Sequence, residues 1–207
     1  MLTIWGRLSS VNVQKVVWCA DELGIEYKRI DAGGKFGVND TPEYLAMNPN
    51  GLVPVIDDDG FVLYESNAIV RYLAAKAGAT ALWPEDTRAR ADVDRWMEWQ
   101  STNFTPAMGP AFMQLIRTAP DKRDVGAIEA SRARTEKLCG ILEAHLAQAR
   151  CLTGERFTVA DLVVACAAHR WLNLPIERAP RPNLQRWYDE CAARPGSRQV
   201  TSQVPIT

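Results

Sequence analysis

The sequence predicts an α/β first half joined to an all-helical second half. Strand-like runs alternate with helical repeats up to about residue 78, and no strand signal follows residue 87. Between them, residues 79–86 carry no sustained periodicity and contain Pro84, which places the linker there. The expected domains therefore run from 1 to about 78 and from about 87 to 207.

Leu2 to Trp5 reads as a short strand. Val13, Val16, Val17, Ala20 and Leu23 then recur at helical spacing, and Gly24 is a suitable stop. Glu26 to Ile30 reads as a second strand, and Thr41-Pro42 as a helix entry with proline in the first turn. Val53 to Ile56 and Phe61 to Tyr64, split by Asp57-Asp58-Asp59-Gly60, predict a hairpin. A helix from Ser66 to about Lys76 comes next, with Ser66 as its expected N-cap and Gly78 as its end. The order is β-α-β-α-β-β-α.

In the second half, Thr87 to Gln100 is helical in composition, and Pro106 and Pro110 are expected to bend or break the chain beyond it. Val125 to Arg150 carries a long, weakly amphipathic pattern. Thr158 and Asp161 resemble a capping box with Asp in place of Glu. The stretch behind them, Leu162 to Trp171, is apolar on nearly every side and should be the buried central helix. Three prolines at 175, 180 and 182 punctuate the return to a last helix near Asn183 to Ala193.

Composition narrows the function classes. With 207 residues and 47% hydrophobic content, the chain is long enough for two small cores. A net charge of −1 gives no electrostatic reason to expect nucleic acid or a membrane surface as partner. The longest apolar run, Leu162 to Ala168, is far short of the roughly 18 residues that suggest a membrane span. The N-terminus shows no basic segment leading into an apolar one, so no secretory signal is expected. Five cysteines, odd in number and without close pairs, argue against a disulfide framework or a zinc site. No metal is expected, and the expected location is cytoplasmic.

Candidate chemistry gathers at a few turns. If the Val53-Pro54 bond is cis, the backbone of Val53 turns out of the sheet and can pair with an extended peptide. Only about 5–6% of X-Pro bonds take that isomer, so spacing alone does not select it. Next along the chain, Glu65 and Ser66 open a helix, and a helix N-terminus suits a carboxylate. The first strand-to-helix turn, Gly6 to Lys15, is small and polar before an apolar helix, so a thiol there would meet the positive end of the helix dipole. Ser9 and Ser10 could equally do no more than cap that helix.

These segments, in this order, resemble the glutathione transferase family across essentially the whole chain. The resemblance implies a thioredoxin-like N-terminal domain, an all-α C-terminal domain and glutathione as co-substrate. It implies that Val53-Pro54 is cis and that Glu65 and Ser66 hold the γ-glutamyl end. In serine-type members similar to the theta, delta and zeta classes, a turn serine donates to the glutathione thiolate. Ser10 is the matching position, with Ser9 one residue off. Some bacterial members instead carry asparagine followed three residues on by lysine, a spacing that Asn12 and Lys15 reproduce. Lys35, with Phe36 and Asn39, falls where the family usually contacts the glycyl end, although the theta-type lysine is replaced by Leu52.

The electrophile is expected between the domains, near Trp99, Phe104, Met108 and Phe112, residues that equally suit a domain core. The implied reaction is conjugation of the thiolate to a small hydrophobic electrophile by a detoxifying homodimer. Two other readings stand beside it. One is a glutathione-dependent isomerase of zeta type, although Val11 stands where that class has cysteine. The other is a non-catalytic binding module on the same fold.

Overall fold

Four strands and three main helices form the first unit in the predicted order: β1 (Leu2–Trp5), α1 (Val11–Glu22), β2 (Tyr27–Ile30), α2 (Pro42–Met47), β3 (Val55–Asp58), β4 (Phe61–Tyr64) and α3 (Ser66–Lys76). The structure, a computed structural model, describes residues 1–201. The sheet order is β2-β1-β3-β4. β1 runs parallel to β2, with Leu2 opposite Tyr27, and antiparallel to β3, with Ile4 opposite Ile56. A parallel pair needs a crossover, and α1 supplies it. Val13, Val16 and Val17 give that helix a fully buried face.

The hairpin is tighter than expected. β3 runs on to Asp58, so only Asp59 and Gly60 form the turn, with φ of 53° and 92°. Two consecutive positive φ values match the twist of antiparallel strands, which is why the loop shrinks from four residues to two. Asp57 Oδ1 accepts from Gly60 N at 2.6 Å. Val53 and Pro54 lie outside β3, since proline cannot donate to the ladder. Their peptide bond is cis.

A second difference lies at α3. The residue in the N-cap position is Glu65, with φ 71° and ψ 109°, and Ser66 is the first residue of the helix rather than its cap. A third concerns the C-terminal segment. The expected helical domain reached residue 207, yet the structure groups the segment from Arg194 with Met1–Trp83. Gln199 Nε2 bonds Asp21 Oδ2 at 2.9 Å, Arg194 pairs with Glu22, and Val200 is buried. The last stretch of that expected domain, residues 202–207, lies outside the described residues.

The second unit, Pro84–Ala193, is all helical. It holds α4 (Thr87–Trp99), α5 (Thr105–Phe112), α6 (Val125–Leu146), α7 (Val159–Leu172) and α8 (Pro182–Ala192). Pro106 and Pro110 do not break the chain's helical course. Gln100–Phe104 widens into a π turn in which Thr105 N bonds the Gln100 carbonyl, and Met113–Arg117 forms another. A wide turn absorbs the missing proline donor that would stop an ordinary helix. Ser131 helps: its Oγ accepts from Ala111 N at 3.1 Å and donates to the Ala107 carbonyl at 2.5 Å.

Helix α7 is the buried centre of this unit, as its sequence predicts. Asp161, fully buried, accepts from Leu152 N and Trp187 Nε1 at 2.8 Å and from Thr158 N at 2.9 Å. Burial pushes its carboxyl up while these donors pull it down.

Candidate active site

The first turn is set by packing. Gly6 has φ 153°, and a Cβ there would lie 2.4 Å from Val13 Cγ2 and 3.3 Å from Val53 Cβ. Only glycine lets this turn approach both α1 and the proline loop so closely. Arg7 continues the pairing beside β2 through Arg7 N to Ala32 O at 2.9 Å, and its Nη1 donates to Ser9 Oγ at 2.9 Å. Ser9 is therefore engaged.

Ser10 occupies the N-cap position of α1 with extended backbone, and Gln14 N bonds its carbonyl at 2.9 Å. Its half-buried side chain makes no capping bond, and among the described residues its hydroxyl has no hydrogen-bond partner. The plain capping role considered from the sequence is thus not the one Ser10 plays. Asn12 is exposed in the first turn of α1.

The proline loop is pinned from behind. Tyr44 Oη and Asn48 Nδ2 each donate to the Leu52 carbonyl at 2.8 Å. Burial pushes the Tyr44 phenol up to about 12, so it remains a neutral donor at physiological pH. Asn39 Nδ2 donates to the Gly51 carbonyl at 2.6 Å, which makes Asn39 a support for the loop. Among the described residues, the N–H and C=O of Val53 make no hydrogen bond. An extended strand or peptide laid beside Val53 can therefore take both groups.

At the start of α3, Glu65 is exposed and holds a left-handed backbone that non-glycine residues rarely adopt. Residues so held cost about 1–3 kcal/mol and concentrate at ligand clamps. Ser66 and Asn67 are buried beside it. Lys15 Nζ lies 3.5 Å from Ser66 Oγ and 3.2 Å from Asn67 Oδ1, and one turn further along Cys19 Sγ lies 3.8 Å from the Val70 carbonyl. Contacts from 15 to 66 and from 19 to 70 set α1 and α3 side by side and parallel. The positive ends of both helices thus face the same side of the unit.

The other expected residues are spread over both units. Lys35 is exposed in the short turn Gly34–Phe36, with its Nζ 5.1 Å from the Phe36 ring centroid. Phe104, Met108 and Phe112 are buried in the helical unit. Trp99 is half-buried and stacks on Phe104 with centroids 5.3 Å apart. The Arg170 guanidinium sits 4.1 Å above the Phe112 ring. His145 Nε2 donates to the Leu152 carbonyl at 2.9 Å, and buried His169 meets Tyr188, so both histidines serve packing.

Sequence reasoning missed Tyr44 and Asn48, and it missed Lys15's placement beside Ser66. The valine spacing puts Lys15 on the side of α1 opposite Val13, Val16 and Val17, where a solvated lysine is ordinary, so the periodicity carried no signal for its burial.

No disulfide joins any of the five cysteines, and all are buried. Burial pushes the Cys139 thiol up to about 12 and the Cys151 thiol up to about 11, far from a reactive thiolate. Among the described residues no His, Cys, Asp and Glu cluster could hold a metal, and no helix is long and apolar enough to cross a membrane.

Comparison with known proteins identifies the family of both halves of the chain. The family description "Glutathione S-transferase, N-terminal domain" matches residues 9–76, and its C-terminal counterpart matches residues 104–195. The chain is 42% identical to glutathione S-transferase GstB of Escherichia coli K12, over 100% of both chains. It is 32% identical to glutathione S-transferase 3 of Zea mays, covering 99% of this chain and 95% of that protein. A theta class glutathione S-transferase from Xanthomonas axonopodis pv. citri, solved with glutathione bound, superposes with a TM-score of 0.95 at 43% identity. It covers 100% of this chain and 99% of that one. With both halves matched and relatives aligned end to end, the chain belongs to the glutathione S-transferase family.

Proposed function

We propose that this glutathione S-transferase joins the thiol of glutathione to a small hydrophobic electrophile, with Ser10 donating to the thiolate and Asn12 as the alternative donor. The observation that carries this reading is the Ser10 hydroxyl, at a helix N-terminus and unused by the fold. Val53 offers backbone pairing to the cysteinyl residue, and Glu65 with Ser66 receives the γ-glutamyl end. Lys35 supplies the cation on the loop proposed for the glycyl carboxylate.

The electrostatics suffice. Lowering a thiol pKa from about 8.5 by about two units takes about 2.7 kcal/mol. A helix N-terminus contributes roughly 0.3–1 kcal/mol and one hydrogen bond to a charged group about 1.5–3 kcal/mol. At pH 7 the thiolate fraction rises roughly 25-fold while its reactivity falls roughly 8-fold, for a Brønsted slope of about 0.4–0.5. Ionisation thus leaves only a small net gain. Most of the acceleration comes from holding thiolate and electrophile together. In a substitution the sulfur lone pair forms the bond to carbon as the leaving group departs with the electrons of the bond that breaks; with an epoxide or isothiocyanate the opened oxygen or the nitrogen takes those electrons and then a proton.

Pairing with a second copy belongs to the same reading. Leu52, Phe61 and Val62 are 64%, 49% and 38% exposed, two of them on the edge strand β4, and a partner would cover them. Sedimentation at twice the monomer mass is expected. Cytoplasmic residence is supported by five cysteines in no disulfide. The activity is tested by glutathione-dependent turnover of halogenated aromatics, epoxides, isothiocyanates and peroxides. Binding of glutathione without turnover of any of them favours the non-catalytic module.

A further inference from the structure

Lys15 is 1% exposed, on the second buried face of α1, beside Val11, Trp18 and Cys19 and opposite Val13, Val16 and Val17. A lysine is among the last residues expected there, because an ammonium loses its hydration on burial. Its Nζ reaches past the helix surface to Ser66 Oγ and Asn67 Oδ1, at the first turn of α3.

We propose that Lys15 is a positioning and specificity residue that sets the charge beneath the γ-glutamyl end of the site. The inference rests on the reading that Ser66 takes the glutathione α-carboxylate. An ammonium can only donate, so it occupies an acceptor lone pair of Ser66 and leaves the Ser66 O–H to donate elsewhere. A carboxylate arriving at the α3 N-terminus is the acceptor that fits. The buried positive charge acts on that carboxylate in a low-dielectric surround, where it is felt more strongly than a surface lysine. Two effects therefore share one cause: the hydroxyl is aimed, and the site prefers ligands that bring a negative charge. The second distinguishes a γ-glutamyl peptide with its free α-carboxylate from one lacking it.

The test compares two ligands on the full-length protein: reduced glutathione, and the same tripeptide with its α-carboxylate converted to the carboxamide. Wild type is expected to bind glutathione more tightly than the carboxamide. Lys15→Met keeps the length and apolar stem of the side chain and removes the charge. It is expected to weaken glutathione binding by about 10- to 100-fold, the loss of one interaction with a charged group, while changing carboxamide binding by less than about threefold. At saturating glutathione its kcat stays near that of wild type, so the effect appears in KM. If Lys15→Met fails to fold, Lys15→Gln, which retains a donor for Asn67, makes the same comparison. A variant that loses both ligands equally, or that keeps the wild-type preference, overturns the proposal. Failure of wild type to prefer glutathione over the carboxamide overturns instead the assignment of Ser66 to the α-carboxylate.

Discussion

Replacing Ser10 by alanine separates the two jobs open to a serine at a helix start. An N-cap serine normally costs about 0.5–2 kcal/mol to remove, because its side chain satisfies a first-turn N–H. Here the hydroxyl makes no such bond, and the backbone bond from Gln14 N to the Ser10 carbonyl survives the substitution. The expected loss of stability is therefore at the bottom of that range, about 0.5 kcal/mol. Removing a hydrogen bond to a thiolate costs about 1.5–3 kcal/mol, which at 1.36 kcal/mol per unit raises the bound thiol pKa by about 1–2 units. The two quantities are read independently, by thermal melting of the free protein and by thiolate absorbance of bound glutathione against pH. A large fall in Tm with an unmoved thiol pKa would show that Ser10 is a cap after all. If Asn12→Ala moves the pKa and Ser10→Ala does not, Asn12 is the donor. If neither moves it, the backbone N–H groups and the helix dipole carry the activation.

The supporting residues give further expected outcomes. Tyr44→Phe removes one of two donors from the Leu52 carbonyl and should cost about 0.5–1.5 kcal/mol of stability, with KM for glutathione rising more than kcat falls. Asp161→Ala strands several buried donors at about 1–3 kcal/mol each, so calorimetry should show a loss of roughly 3–5 kcal/mol. Burial lowers the His169 pKa below its ordinary value, so the unfolded chain binds the proton that the folded one refuses. Stability should then fall as pH drops through about 6.5, and melting curves of His169→Gln should show a flatter dependence across that interval.

Much of the fold is legible because its signals are local. Valine spacing marks α1, Thr41-Pro42 marks α2, and Thr158 with Asp161 marks α7; each matches an element of the structure. The illegible parts depend on distant partners. Ser66 has the residue type of an N-cap, but Glu65 takes that position with a left-handed backbone, and Ser66 turns instead to Lys15 on another helix. Pro106 and Pro110 read as breakers because the π turn and the Ser131 hydroxyl that accommodate them are tertiary features. Asp58 reads as a turn acid, yet it is buried in β3 and holds Tyr72 and Lys76. For the proposed site, the resemblance pointed to Ser10, Pro54, Glu65 and Ser66. Tyr44 and Asn48, which hold the loop from behind, carry no motif that distinguishes them from ordinary core residues.

A crystal structure of this chain with reduced glutathione would decide whether the two helix starts and the proline loop form one binding site. The expected result is the sulfur within hydrogen-bonding distance of the Ser10 hydroxyl, the cysteinyl backbone paired with Val53, and the α-carboxylate at Ser66 above Lys15. A tripeptide bound away from the α1 and α3 N-termini, or one whose α-carboxylate lies remote from Ser66, would contradict that assignment.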